Sequence, residues 1–233
     1  MPSTRPCQLP LGIKLDDEAT FDNFHITSPN EQAVRYLSTP VAQQQTVVLW
    51  GAPGSGRTHL AQAVCHRAEQ CGLLSMYIPC GESNAISPAI LQGLDSLDVV
   101  CVDDLHQVEG KGDWEQALFR LYNASLDSRL LLLIISDRPP QQFTGMLPDL
   151  RSRLQSGMVF QLQEPDEAGK RDLLKLRAIN RGLTLDDAVV SYILQRSDRS
   201  VSVLMQVLAT LDRLSLQEQR RITIPLVKQA MQW

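Results

Sequence analysis

The chain has no excess of basic charge. It carries 22 Lys and Arg against 26 Asp and Glu, a net charge of −4. Broad electrostatic DNA binding needs a basic face, so direct DNA binding is expected to be weak or absent. No apolar run approaches the roughly 20 residues that a membrane helix requires. No basic stretch followed by an apolar core opens the chain either, so it does not read as a secretion signal; a cytoplasmic protein with no membrane partner is expected. No two of the five cysteines (Cys7, Cys65, Cys71, Cys80, Cys101) are spaced as C-x-x-C, and the four histidines do not group with them. That argues against a zinc site and for reduced, buried thiols. There is no internal repeat and no low-complexity tract. Aromatic residues make up only 5% of the chain, which makes the pair in Thr20-Phe21-Asp22-Asn23-Phe24 conspicuous.

What is present centres on Gly51-Ala52-Pro53-Gly54-Ser55-Gly56-Arg57-Thr58. The apolar run Thr46–Trp50 precedes it and a helix-like segment from His59 follows. Strand, glycine-rich turn and helix form the context of a phosphate-binding loop. The glycines let backbone N–H groups converge on phosphate, and the helix N-terminus adds partial positive charge. The pattern G-x-x-x-x-G-K-[ST] is met with one departure: Arg57 stands where lysine is expected.

Around this loop strands and helices alternate. Strands are expected at 73–79, 97–102, 129–136 and 158–162. Helices are expected from Ser28-Pro29, Ser87-Pro88 and Asp113, with a short one over 147–154. Leu130–Ile135 is apolar throughout, as in a strand covered by helices on both faces. The alternation implies a parallel α/β sheet. After Glu164-Pro165 the pattern turns all-helical. Asp166 to Arg181 carries a stripe of Leu173, Leu176 and Ile179 and stops at Gly182. Thr184 with Asp187 resembles a capping box, Ser200 opens a third helix, and Ile224-Pro225 opens a fourth. The expected organisation is an extended arm over 1–19, a nucleotide-binding α/β domain over 20–164 and a small helical domain over 165–233.

A phosphate loop needs an acidic strand end to hold Mg²⁺ together with its own hydroxyl. Thr58 and Asp103 fit those roles. Asp104 stands where many ATPases place the glutamate that polarises water, and it is one methylene shorter, so weak intrinsic hydrolysis is expected. Arg57 points the same way. A guanidinium is wider than an ammonium and bidentate, which favours a held diphosphate over turnover of a triphosphate. Ser136-Asp137 ends a strand where polar groups sense phosphate, though a turn before Arg138 explains it equally well. Arg151-Ser152-Arg153 is either a solvated pair of arginines or the source of an arginine that reaches a neighbouring subunit. In the arm, Gln8-Leu9-Pro10-Leu11 reads by itself as a tail packed on its own domain or as a docking peptide.

Together Thr20–Phe24, Gly51–Leu60, Val100–Leu105, Ser136-Asp137-Arg138 and Leu150–Leu154 resemble the AAA+ core of the DnaA family over about residues 20–233. The Thr58-His59-Leu60 continuation and the Asp103-Asp104 pair carry much of the likeness. Within that family the chain is similar to the Hda-type regulators: it stops after the helical lid, it has Arg57 in the loop, and Gln8-Leu9-Pro10-Leu11 resembles their clamp-binding motif. The resemblance implies a P-loop AAA+ fold with a helical lid. It implies a site of Gly51–Thr58, His59, Ser136 and Asp137 holding ADP or ATP with Mg²⁺. It implies a docking peptide anchored by Gln8, Leu9 and Leu11 on the polymerase sliding clamp, with DnaA as second partner. Arg153 then matches the family's arginine finger, directed at ATP held by DnaA, and homo-oligomers stay open. The function implied is negative regulation of replication initiation by prompting DnaA to hydrolyse its ATP. The alternative is a self-contained AAA+ ATPase of the helicase-loader type. One departure stands out: the third lid helix offers no arginine at the sensor-two position, Arg199 and Arg213 being the nearest.

Overall fold

The structure is a computed structural model that describes residues 15–39 and 45–233. The expected docking peptide at Gln8, Leu9 and Leu11 lies outside the described residues. Five strands form one parallel sheet in the order β2-β3-β4-β1-β5. They are β1 (Gln45–Gly51), β2 (Ser75–Pro79), β3 (Val99–Asp103), β4 (Leu131–Ser136) and β5 (Met158–Leu162). The two strands with unbroken apolar sequence, β3 and β4, are buried at every position, because helices cover both faces of the sheet.

Alternation along each strand divides the core in two. Val48, Val100, Val102 and Ile134 face α3 (Gly112–Leu126) and α4 (Pro148–Ser156), meeting Trp114, Leu118, Leu121, Leu150 and Leu154. Val47, Leu49, Leu133 and Ile135 face α1 (Glu31–Ser38) and α2 (Arg57–Gln70), meeting Leu37, Leu60 and Val64. Each such side chain contributes roughly 1.5–3 kcal/mol when fully buried. A third core belongs to the lid, α5 (Glu167–Asn180), α6 (Asp187–Arg196), α7 (Val201–Glu218) and α8 (Ile224–Met231), around Leu174, Ile193, Leu208 and Val227.

Four local expectations are corrected. Asp113 does not cap α3; the helix starts one residue earlier after Lys111, and Asp113 lies in its first turn, where its charge suits the dipole. Ser28 opens only a 3-10 turn (Ser28–Asn30), and Asn30 precedes α1. There Asn30 is buried and bridges to the chain after β5, accepting from Gln163 N at 2.8 Å and donating to Gln163 O at 2.9 Å. The Thr184–Asp187 capping box does not form, since Asp186 precedes α6 and no side chain caps it. On α5 the buried face runs through Leu173, Leu174, Arg177 and Ala178, and Ile179 is 68% exposed. Ser200 caps α7 as expected, accepting from Val203 N at 3.4 Å, whereas Asp166, expected as the first residue of its helix, caps α5 and accepts from Gly169 N at 2.7 Å. Of the described cysteines, Cys65, Cys80 and Cys101 are buried thiols and Cys71 is exposed.

Candidate nucleotide-binding site

The loop between β1 and α2 is built so that no side chain could replace two of its glycines. A Cβ on Gly51 would stand 2.4 Å from Leu162 O and 2.7 Å from Ser55 Oγ. Gly56 precedes α2 in the left-handed region at φ 91°, and a Cβ there would meet Phe24 Cε2 at 2.5 Å. The conspicuous Thr20–Phe24 stretch is therefore part of the site. Phe24 backs the loop and stacks obliquely on His59, ring centroids 5.4 Å apart. His59 Nε2 bonds Thr20 O at 2.7 Å, and burial lowers its pKa. The neutral imidazole donates that bond and braces the 20–24 segment.

α2 has no side-chain cap, so its first N–H groups face the loop with their partial positive charge. Two polar atoms of the loop, Ser55 Oγ and Arg57 Nη1, are buried without a hydrogen-bond partner. A polyanion in the cradle supplies acceptors for both. Beside the loop lies a cavity of about 460 Å³, within the size range of small-ligand pockets. Gly54, Ser55, Thr58 and His59 form its floor; Val201, Ser202 and Met205 of α7 approach from the lid. Its guanidinium groups come from α5, as Arg177, and from the residue that caps its C-terminus, Arg181, and not from the third lid helix. Arg199 pairs with Glu167 at 2.5 Å on the surface and Arg213 is exposed, so neither replaces the missing sensor-two arginine. Arg177 and Arg181 are the residues that sequence reasoning missed. Their signal is a charge four residues beyond Leu173 on the helix's apolar face.

β4 lies between β1 and β3, which sets Ser136 beside the loop's strand, paired with Trp50, and Asp103 one strand further on. Asp103 is 1% exposed and its carboxylate is held at both oxygens. Tyr77 OH donates to Oδ2 at 2.8 Å and Asp104 N donates to Oδ1 at 2.8 Å. Burial, then the Asp103 charge, pushes the Tyr77 hydroxyl above its ordinary value, so it stays a donor. Burial likewise pushes the neighbouring Cys80 thiol up to about 12. Each carboxylate oxygen keeps a second lone pair. Among the described residues no three His, Cys, Asp or Glu side chains form a metal cage. Thr58 and Asp103 still fit Mg²⁺, which takes one or two protein oxygens and completes its shell with phosphate and water.

Asp104 adopts the left-handed conformation at φ 54°, which Asp tolerates better than most residues. Burial, then the Asp103 charge, raises its pKa, while His106 and Arg57 oppose the rise. The sign is fixed by that direction. A raised folded value means that the neutral form is favoured; the stability it contributes is complete below the ordinary carboxylate value and lost as pH rises through the raised one. Asp104→Asn, which keeps the shape and removes the charge, is thus expected to stabilise the protein at pH 7. The gain is about 0.5 kcal/mol once screening at this half-exposed site is allowed for. Thermal unfolding should show the gain shrinking as pH falls to 4.

Ser136 is fully buried and spends its hydroxyl on Arg138 O at 2.6 Å. Asp137 lies 3.7 Å from His106 Nδ1 and 3.5 Å from Arg138 Nε, and Arg138 in turn reaches Glu109 at 2.9 Å. The strand end is thus fixed by its own network. Arg153 sits in the last turn of α4, exposed, with its guanidinium 5.9 Å from the centroid of Tyr122. It is not among the residues that line the cavity.

Residues 167–231 match the family model described as "Hda, lid domain", and residues 86–161 match that of the bacterial DnaA ATPase domain. Over those two segments the chain is similar to the Hda and DnaA families of AAA+ proteins. Domain III of the Thermotoga maritima initiator DnaA superposes with a TM-score of 0.80 at 22% identity, covering 94% of this chain and 98% of that one. DnaA from Aquifex aeolicus, solved bound to AMPPCP, gives 0.72 at 23% identity, covering 88% and 68%. The Thermotoga maritima Holliday junction branch migration motor RuvB gives 0.66 at 18%, covering 91% and 73%. At these identities the structures establish the AAA+ fold. No helix among the described residues is long and apolar enough to cross a membrane.

Proposed function

We propose that this DnaA/Hda-like protein holds ADP and, joined to the DNA-loaded sliding clamp, accelerates ATP hydrolysis in the site of DnaA, so restraining replication initiation. The observation that carries the reading is the separation of two features usually joined. The chain has a phosphate cradle of its own, and its finger-like Arg153 is exposed and not among the residues that line the cavity beside it. A guanidinium so placed can serve a second protein's phosphoryl group, where it stabilises charge that develops in transfer.

In the chain's own site the backbone N–H groups of residues 54–58 and the Arg57 guanidinium take the phosphates. Thr58 and Asp103 hold Mg²⁺, with Tyr77 fixing the Asp103 carboxylate. Bound there, Mg²⁺ offsets phosphate charge. His59 and Phe24 keep the loop in shape, and Ser136, paired with Trp50 on the neighbouring strand, backs the strand that leads into the loop. Asp104 is the weak point for hydrolysis: its side chain is short, and its Oδ2 lies 3.4 Å from where a Cβ on Gly81 would stand, over the turn after β2. Val201 and Ser202 are what α7 brings to the cavity beside Gly54, and neither offers a charge to a third phosphate, which also favours a diphosphate. Gln8, Leu9 and Leu11 supply the clamp contact in this reading.

Titration calorimetry tests the nucleotide half. ADP is expected to bind at least as tightly as ATP, with slow turnover of ATP by the chain alone. A preference for ATP of about tenfold, worth roughly 1.4 kcal/mol, together with brisk turnover, contradicts it.

A further inference from the structure

We propose that the segment around Glu18 is a strap that latches the lid over the nucleotide cavity and sets how fast nucleotide leaves; this rests on the nucleotide reading of that cavity. The strap is tied to the α/β core on one side. Asp16 N donates to Gln62 Oε1 at 2.8 Å, His66 Nε2 bonds Asp16 O at 3.0 Å, and His59 Nε2 bonds Thr20 O at 2.7 Å. All three partners lie on α2, the helix that begins at the phosphate loop.

On the other side the strap is tied to α5 of the lid, and here the ties are charged. The Glu18 carboxylate accepts from Arg177 Nη2 at 2.9 Å, from Arg181 Nη2 at 2.8 Å and from Arg181 Nε at 3.1 Å. The Arg181 contact is a two-pronged fork, the strongest geometry such a pair offers. Glu18 O accepts a further bond from Arg177 Nη1 at 3.1 Å, and Asn180 Nδ2 donates to Asn23 Oδ1 at 2.6 Å. Arg177 is 8% exposed. A guanidinium so buried is costly without its counter-ion, so the lid's closed position and the strap's position depend on each other.

Glu18, Asn23, Arg177 and Arg181 line the cavity together with Gly54 and Thr58. A nucleotide held on the loop is therefore walled in by the latch, and opening the lid means separating Glu18 from two arginines. The latch residues lie outside the 51–58 loop, but Arg177 and Arg181 also line the cavity, so Glu18→Gln, which leaves both guanidinium groups in place, is the variant that breaks the latch alone.

The test is the release of fluorescent-labelled ADP from the full chain, followed by stopped flow. Glu18→Gln keeps the shape and removes the charge; Arg181→Ala removes the fork. Each variant is expected to release ADP roughly tenfold faster. The double variant should do little more than either alone, because both delete one interaction. Hydrogen exchange of residues 15–24 and of α5, measured without nucleotide, should quicken in both variants. Unchanged release in Glu18→Gln overturns the proposal whatever Arg181→Ala does, because Arg181 also lines the cavity. If the parent chain binds no ADP, the nucleotide reading fails instead; the exchange measurement then decides the latch by itself, unchanged exchange in Glu18→Gln overturning it.

Discussion

Replacing Arg153 by alanine should reduce stimulation of DnaA's ATP hydrolysis by roughly 10³-fold or more, the scale on which arginine fingers act, while the protein stays folded. The stability cost should be small, because the only interaction of the guanidinium among the described residues is with the Tyr122 ring at 5.9 Å. An exposed contact of that kind is worth about 0.5–1 kcal/mol. Arg151 provides the internal control. It sits two residues earlier on the same helix, yet its Nη1 donates to Phe143 O at 3.2 Å. Arg151→Ala should therefore loosen the loop before α4 and lower stability, with less effect on stimulation. Hydrolysis assays paired with thermal unfolding separate the two. A full rate with Arg153→Ala would remove the finger assignment.

Gly56→Ala is expected to weaken nucleotide binding by about tenfold or more. Two penalties coincide at this position. An L-residue at φ 91° is strained by roughly 1–2 kcal/mol. The added Cβ also meets the Phe24 ring at 2.5 Å, and the ring cannot give way freely because His59 stacks on it. The loop must then shift, and with it the N–H groups that converge on phosphate. Calorimetry with ADP measures the loss. Gly72→Ala is the comparison: it is also left-handed, at φ 73°, but its Cβ would meet nothing within 4 Å, so it should cost stability alone. Equal ADP affinities for parent and Gly56→Ala would contradict the loop's role.

Where an element depended on short-range pattern, the sequence was legible. The loop, its strand and its helix are contiguous, and the Asp103 strand end follows from an apolar run, so these elements were placed correctly. The parallel sheet followed from β4, whose unbroken apolar run only a doubly covered strand explains. Helix starts were less legible: Asp113, Ser28 and Thr184 all looked like caps, and the chain began its helices one or more residues away, where packing and not capping decided. The latch was hidden for a different reason. Glu18 lies 159 residues from Arg177 and 163 from Arg181, and no local spacing announces a pair that only the fold brings together. Arg177 interrupted an apolar face, which was a signal, but the face itself was misplaced by the choice of Ile179. Tyr77 escaped notice because a tyrosine in a strand reads as packing; its hydroxyl matters only once β2 is known to lie beside β3.

The most direct test of the central claim is hydrolysis of ATP by DnaA, measured with and without this chain and with and without the sliding clamp loaded on DNA. The account predicts acceleration when chain and loaded clamp are both present, lost with Arg153→Ala and lost with Leu9→Ala and Leu11→Ala together. An unchanged DnaA rate in the complete mixture, or ATP turnover that this chain performs by itself at the same speed, would contradict it.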